Sequence, residues 1–304
     1  MLDFVLPRQP VYLSFDPGPY RMQMGLIARP PDELVQIDER YPAEMAERRH
    51  LLAARRDEVF GAEPGSEAAR AEMLELLADL LPRRHPEWFA REGAMLHNRL
   101  TGESWNVEQP ERDPLEIAGL LVQEDFCLLR MSDAGPILTA AVLCFPTRWR
   151  LHEKLGHPLA EIHGPVPQYA ERLARPVDRL ISTLKEGRMV ERVNWTANDD
   201  PNLFQPGGKH FRRELNPNVT AENAGETLYL RVERQTLSLL PKSGAVVFGI
   251  GVHVYPMARI AADKHIAANF AAAIRALPDD VRGYKSLAPF QTVLLAYLDA
   301  QAAD

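Results

Sequence analysis

ETLYLRVERQTL (residues 226–237) and AVVFGIGVHVYP (residues 245–256) are the stretches on which the fold turns. Read at the two-residue period of a strand, the first puts Leu228, Leu230 and Val232 on one face and Tyr229, Arg231, Glu233 and Gln235 on the other. The second divides into an apolar face of Val246, Phe248, Ile250, Val252 and Val254, and a face of Val247, Gly249, Gly251, His253 and Tyr255. The polar face of the first strand either meets water or lines a site, and the pattern alone suits both. Gly249 and Gly251 remove side-chain bulk from one face, which suits close approach by a flat ligand and equally suits a bend or bulge at a sheet edge.

Working outward, residues 125–131 and 137–145 read as two further strands around the turn SDAGP, a hairpin, and residues 190–196 as another strand. Helical spacing covers 32–60 and 66–81, the latter with a stripe of Met73, Leu74, Leu76, Leu77, Leu80 and Leu81. It returns at 114–121, with Pro114 suited to the first turn, and at 166–185, where Pro176 either kinks the helix or marks its start. The tail reads as helices over 258–277 and 287–300, separated by Pro278. With no repeat and no low-complexity linker, the expectation is one α+β domain over 1–304, carrying a helical N-terminal extension (about 1–121) and C-terminal helices (about 258–304).

A chain of 304 residues that is 46% hydrophobic can bury a substantial core. A formal charge of −7 without a dense Lys/Arg run argues against a nucleic-acid partner, whose phosphates need a basic surface. No apolar run is long enough to cross a bilayer, and MLDFVLPRQP lacks a basic and an apolar leader region, so the cytoplasm is the expected compartment and no membrane partner is expected. Cys127 and Cys144, two in all, read as small core residues and are too few for a disulfide framework or a four-cysteine metal centre.

Three of the nine histidines fall in LHEKLGHPLAEIHGPVPQ (residues 151–168). The spacings from His152 to His157 and from His157 to His163 match neither a helical pair nor a zinc finger. His152 and His157 fit a solvated face or a packing role. His163 follows Ile162 and precedes a stiff Gly-Pro-Val-Pro turn that fixes a ring's direction at low entropic cost. A single aimed histidine suits haem iron, which needs one protein ligand. The chain has no nucleophile elbow, P-loop, HExxH pattern or dinucleotide-binding glycine fingerprint.

Four segments in order, VQEDFCLL (122–129), KLGHPLAEIHGPVP (154–167), RVNW (192–195) and LRVERQTLSLLPKSGAVVFGI (230–250), resemble the haem-dependent oxidative N-demethylase alpha subunit-like family. The resemblance implies a PAS-like antiparallel sheet with flanking helices that holds a b-type haem. It also implies a subunit that oxidises a small secondary amine such as dimethylamine with O₂, releasing formaldehyde and a primary amine. Electrons would come from NADPH through flavin and iron–sulfur centres on partner subunits. A non-catalytic haem-binding sensor or gas-binding protein is the alternative.

On that resemblance His163 is the expected iron ligand, and Arg231 or Arg234 the expected partner of a haem propionate. Glu233 is the expected catalytic carboxylate, holding an ammonium or relaying a proton, with Asn194 and Trp195 walling the cavity beside Gly249 and Gly251. Where the family pattern continues with arginine and threonine after Phe248-Gly249-Ile250, this chain has Gly251 and His253. His253 is therefore a rival iron ligand.

Overall fold

Ten strands are present among the described residues: β1 (Ile27–Arg29), β2 (Phe60–Ala62), β3 (Phe89–Glu92), β4 (Met95–Asn98), β5 (Glu103–Asn106), β6 (Asp125–Ser132), β7 (Gly135–Val142), β8 (Met189–Asn198), β9 (Tyr229–Leu239) and β10 (Val246–Pro256). The computed structural model describes residues 5–13, 15, 18–207, 216–285 and 287–303. Seven strands form one antiparallel sheet in the order β1-β8-β9-β10-β6-β7-β2, and β3-β4-β5 form a small separate meander. The class is α+β, as expected from the strand patterns.

The long strands form where the alternation is cleanest. Between β9 and β10 the register sets Phe248 opposite Leu237 and Ile250 opposite Gln235. The chain reverses through LPKSGA, where Gly244 takes a φ of +71° and donates its N–H to Leu240 O at 2.9 Å. That left-handed backbone favours glycine. The expected hairpin of β6 and β7 turns at Asp133-Ala134, with Ser132 Oγ donating to Gly135 O at 2.8 Å.

Alternation assigns each long strand two faces, and each face has its own cover. Segment 33–40 crosses the face bearing Arg234 and Gly249: Leu34 O and Glu33 O accept from the Arg234 guanidinium, at 3.3 and 2.5 Å. Helix Pro114–Leu121 packs there so closely that a Cβ on Gly119 would lie 2.6 Å from Val142 Cγ2. Helices Lys264–Ala276 and Gln291–Ala303 complete this side, burying Phe270, Ile274, Leu294 and Leu298 in one cluster with Trp195, Leu230, Val232 and Tyr255. The opposite face is roofed by the segment between β7 and β8, with short helices Leu159–Ile162, Tyr169–Arg172 and Ala174–Thr183. It is roofed loosely, and the site lies there.

One buried ion pair anchors the exit of β7 toward that site. Arg48 NH2 lies 3.0 Å from Asp125 Oδ1, both fully buried, while Cys144 N and Phe145 N donate to the same carboxylate at 2.7 and 2.8 Å. Removing one partner of such a pair typically costs about 3–5 kcal/mol, because the other charge is left buried and unmatched.

Several elements differ from the sequence reading. The segment expected to be a helical extension also supplies β1, β2 and the β3-β4-β5 meander, and its helix over 32–60 resolves into Tyr41–Ala54 and Arg56–Val59 behind an extended stretch. The extended stretch is held from outside: Gln36 N donates to Glu124 Oε1 at 2.8 Å, so a tertiary contact overrides local helical spacing. The helix expected over 166–185 breaks at Leu173, and a short helix, Asp279–Tyr284, follows Pro278. Among the described residues no helix is long and apolar enough to cross a membrane.

Candidate functional site

The roofed face of the sheet carries a polar row in an otherwise apolar wall. Arg192 and Asn194 on β8 pair in register with Gln235 and Glu233 on β9, so the four side chains share one face. Phe248 and Ile250 on β10 and Cys127 and Leu129 on β6 continue that face. Between this wall and the roof is a cavity of about 600 Å³, whose lining includes Ile181, Arg192, Leu237 and Tyr284. A second chamber of about 380 Å³ reaches Cys127, Arg231 and Glu233. The two share His163, Asn194, Trp195, Gln235, Phe248 and Lys285. Both volumes fall in the range of small-molecule and cofactor sites, about 300–1,000 Å³.

His163 comes from the roof. It ends helix Leu159–Ile162, which Pro158 starts, and the prolines at 165 and 167 stiffen the turn that leads away from it. Its Nδ1–H donates to Leu159 O at 2.8 Å, and its ring stacks on Tyr169 with centroids 4.6 Å apart and planes at 13°. That bond selects the tautomer whose Nε2 carries the lone pair, and Nε2 makes no hydrogen bond among the described residues. Burial, reinforced by Lys154 and Arg192 and opposed by the Leu159 carbonyl, lowers the imidazole pKa to about 4. The ring is therefore neutral and able to ligate at physiological pH.

Facing it, Glu233 Oε2 accepts from Gln235 Nε2 at 2.7 Å. Arg192 is held down from its ordinary pKa by burial, with Glu233 opposing the shift, and its Nε is buried without a hydrogen-bond partner. Along the part of β8 that β1 does not pair, Lys285 Nζ donates to Trp195 O at 2.6 Å and to Asn194 Oδ1 at 3.1 Å, and stands 4.5 Å from the centre of the Trp195 ring. Trp195 itself turns to the other face, edge-on to Phe270 at 5.1 Å.

The structure thus brings together His163, Asn194 and Glu233 and separates them from several other expected site residues. Arg234 points to the opposite face, 2.6 Å from Glu191 Oε2, and cannot meet a ligand in this cavity. Arg231 reaches the smaller chamber but is 1% exposed, and its donors go to Thr147 Oγ1 and to the carbonyls of Phe145, Pro146, Asn202 and Leu203. It ties two loops together rather than offering a free fork. Gly249 and Gly251 also face away: a Cβ on Gly249 would lie 2.6 Å from Thr236 Oγ1, so its missing bulk is filled by protein. His253 shares their face, where Nδ1 accepts from Arg40 NH2 at 2.9 Å and Tyr12 packs on its ring at 4.9 Å. Burial and the Arg40 charge push its pKa down to about 3, and its Nδ1 lone pair is already used.

His157 forms an exposed pair with Glu161 at 3.0 Å, and among the described residues no three His, Cys, Asp or Glu side chains gather as a metal cluster. Arg192 and Lys285 were not singled out from sequence. Arg192 had a readable signal, since alternation in RVNW puts it on the face of Asn194. Lys285 had none, being an isolated lysine after a short helix.

A cavity that meets one neutral, aimed imidazole on its roof and a polar row on its floor fits a cofactor needing a single protein ligand. The family comparison agrees with this geometry: the model described as haem-dependent oxidative N-demethylase, alpha subunit-like, matches residues 25–295, and the chain belongs to that family.

Proposed function

We propose that this chain is the haem-binding catalytic subunit of an oxidative N-demethylase, acting with O₂ on a small secondary amine and receiving electrons from flavin and iron–sulfur centres on partner subunits. The observation that carries the reading is His163, whose Nε2 lone pair is left unengaged by the Nδ1–H bond to Leu159 O, in a cavity shared with Asn194 and Lys285. The residues fit haem in three respects. One neutral nitrogen is available for the iron, the walls include Leu237, Phe248 and Ile181 for a flat apolar ring, and the half-buried Arg192 has in its buried Nε an unpartnered donor for a propionate. The antiparallel sheet, with helices crossing one face between β7 and β8, is compatible with the PAS-like architecture that the family resemblance implies.

Haem b, when bound, would supply the redox chemistry with O₂ by which the amine's methyl group is oxidised. Dimethylamine, O₂, two electrons and two protons then give methylamine, formaldehyde and water. The chain's own part is positioning. Glu233 holds the ammonium by charge on the wall of the smaller chamber. Asn194, its Oδ1 occupied by Lys285, presents its Nδ2–H₂ as a donor. The Trp195 carbonyl holds Lys285 at the edge of β8, and the roof helices cover the chamber.

The test is to load the protein with haem, reduce it chemically, add O₂ and dimethylamine, and assay formaldehyde in wild type and Glu233→Gln. Amine-dependent formaldehyde that is lost in Glu233→Gln is the expected result. A haem-loaded wild type that gives no formaldehyde with any small secondary amine would overturn the enzymatic reading and favour a gas-binding role.

A further inference from the structure

Two opposite charges stand on the wall of the smaller chamber without meeting each other. Glu233 Oε2 accepts from Gln235 Nε2 at 2.7 Å, while Lys285 Nζ donates to Asn194 Oδ1 at 3.1 Å and to Trp195 O at 2.6 Å. All of these partners are neutral, and among the described residues no carboxylate oxygen lies within ion-pair distance of Lys285 Nζ. An ammonium has three donors, so one N–H of Lys285 is left for a ligand. The lysine's backbone is fixed at both ends: its N donates to Val281 O at 2.9 Å, and its O accepts from Thr196 Oγ1 at 2.5 Å. Asn194 stands between the two charges. It is the cross-strand partner of Glu233, with Cβ atoms about 5 Å apart, and it holds Nζ on its own Oδ1.

We infer that the substrate of this site carries a carboxylate as well as a secondary ammonium: an N-methyl α-amino acid such as N-methylglycine, its ammonium on Glu233 and its carboxylate on Lys285. The inference rests on the reading of this cavity as the amine site and narrows it. Dimethylamine answers one of the two charges, whereas a zwitterion answers both. Dimethylamine's few heavy atoms also leave most of a chamber of about 380 Å³ unfilled. An α-amino acid carries its two charges on neighbouring groups, as the wall carries Glu233 and Lys285 on either side of one asparagine. The Asn194 Nδ2–H₂ is a second donor for the same carboxylate. The reaction balances as it does for the simple amine. N-methylglycine, O₂, two electrons and two protons give glycine, formaldehyde and water, the electrons coming from the reduced flavin and iron–sulfur centres of the partner subunits.

Neither arginine near the site competes for this role. Arg231 is saturated by Thr147 Oγ1 and main-chain carbonyls. Arg192 lines the larger chamber only, where its Nε is available to a haem propionate, so the propionate and the substrate carboxylate have separate partners. Burial and the Arg192 charge draw the Lys285 pKa down to about 7, against the pull of Glu233. A propionate on Arg192 and a carboxylate on Nζ both act in the opposite direction, so the lysine is charged when both are bound.

The test is calorimetric binding of N-methylglycine, N-methylglycinamide and dimethylamine to haem-loaded protein, for wild type, Lys285→Met and Lys285→Arg. The amide has the shape of N-methylglycine without its negative charge. Wild type is expected to bind N-methylglycine about tenfold or more tighter than the amide, the scale of one charge-assisted hydrogen bond. That ratio is expected to fall to about one in Lys285→Met and to be kept in large part in Lys285→Arg. Each ratio is taken within one protein, so a general weakening of a variant does not enter it, and thermal melting checks that the variants are folded. Equal binding of N-methylglycine and its amide in wild type, with dimethylamine bound as well, overturns the carboxylate subsite and leaves the amine site standing. A ratio that survives in Lys285→Met overturns the role of Lys285 and moves the carboxylate to Arg148 or Lys154 of the same chamber. Failure of wild type to bind any of the three overturns the amine site and this inference with it.

Discussion

His163 Nδ1 lies 2.8 Å from the carbonyl oxygen of Leu159, four residues earlier on the same turn. The main-chain N–H of His163 donates to the same oxygen at 2.9 Å, so one carbonyl fixes both the backbone and the ring. Coordination through Nε2 is the consequence to test. Haem-loaded His163→Ala is expected to lose the Soret signature of an imidazole-ligated iron, and imidazole added to His163→Gly is expected to restore it. Because burial holds the free ring's pKa at about 4, and iron would compete with the proton for Nε2, the wild-type spectrum should stay constant as pH falls from neutral to about 4. A ligation step near the ordinary histidine range, or an intact spectrum in His163→Ala, would remove His163 from the iron.

Arg192 is the cavity's best-placed anion holder, since Arg234 lies across the sheet and Arg231 is saturated by carbonyls. Its orphaned Nε is a donor that the protein desolvates without satisfying, which is costly unless a ligand supplies the acceptor. Transfer of haem to an excess of a haem-scavenging apoprotein should be about tenfold or more faster from Arg192→Ala than from wild type, with Lys as the replacement giving an intermediate rate. Equal rates in all three proteins would mean that no propionate reaches Arg192.

The two faces of the sheet explain what the sequence could and could not disclose. Helix Pro114–Leu121 was legible to the residue because its start signals are local: Pro114 occupies the first turn and Asp113 Oδ1 accepts from Leu115 N at 2.9 Å. The long strands were legible because alternation over eight or more residues repeats the same message. The four-residue strands of the meander were not, since Phe89–Glu92 and Glu103–Asn106 are too short for a period to stand out. The site was half legible. Alternation divided β10 correctly into a glycine face and a Phe248 face, but which face receives a ligand depends on what covers it. The glycine face is filled by Leu34 and Thr236, and Leu34 is brought there from a distant part of the chain.

Glu124 links that covered face to the pH dependence of stability. Its Oε1 accepts from Gln36 N at 2.8 Å, and Arg234 stands 3.9 Å away, yet burial outweighs this attraction and raises the carboxyl from 4.5 to about 7. A group that binds its proton more tightly when folded stabilises the fold fully below its unfolded pKa, and that contribution is lost as pH rises through the folded value. For Glu124 the window runs from 4.5 to about 7. Glu124→Gln keeps an acceptor for Gln36 and removes the titration. It is expected to gain about 1–3 kcal/mol over wild type in urea unfolding at about pH 8 and little at about pH 4. An unchanged difference between the two pH values would show that Glu124 titrates normally.

Gly249 and Gly251 share a strand and a face but not a tolerance for side chains. A Cβ on Gly249 would stand 2.6 Å from Thr236 Oγ1, with the Phe126 ring and Leu34 behind at 3.7 and 3.8 Å, and a β-branched side chain within a sheet has little freedom to move aside. A Cβ on Gly251 would find its nearest atoms, in Glu124, at 3.6 Å, an ordinary contact. Gly249→Ala is therefore expected to cost about 1–3 kcal/mol in denaturant unfolding, as overpacking of a closed face does, and Gly251→Ala less than about 1. Adding Thr236→Ala to Gly249→Ala should return most of the loss, because it removes the atom that the new methyl meets. Haem binding should survive in all three proteins, since the cavity is on the other side of the strand. If Gly251→Ala instead abolished haem binding without loss of stability, the glycine face would be part of the ligand site and the assignment of the Phe248 face would fall.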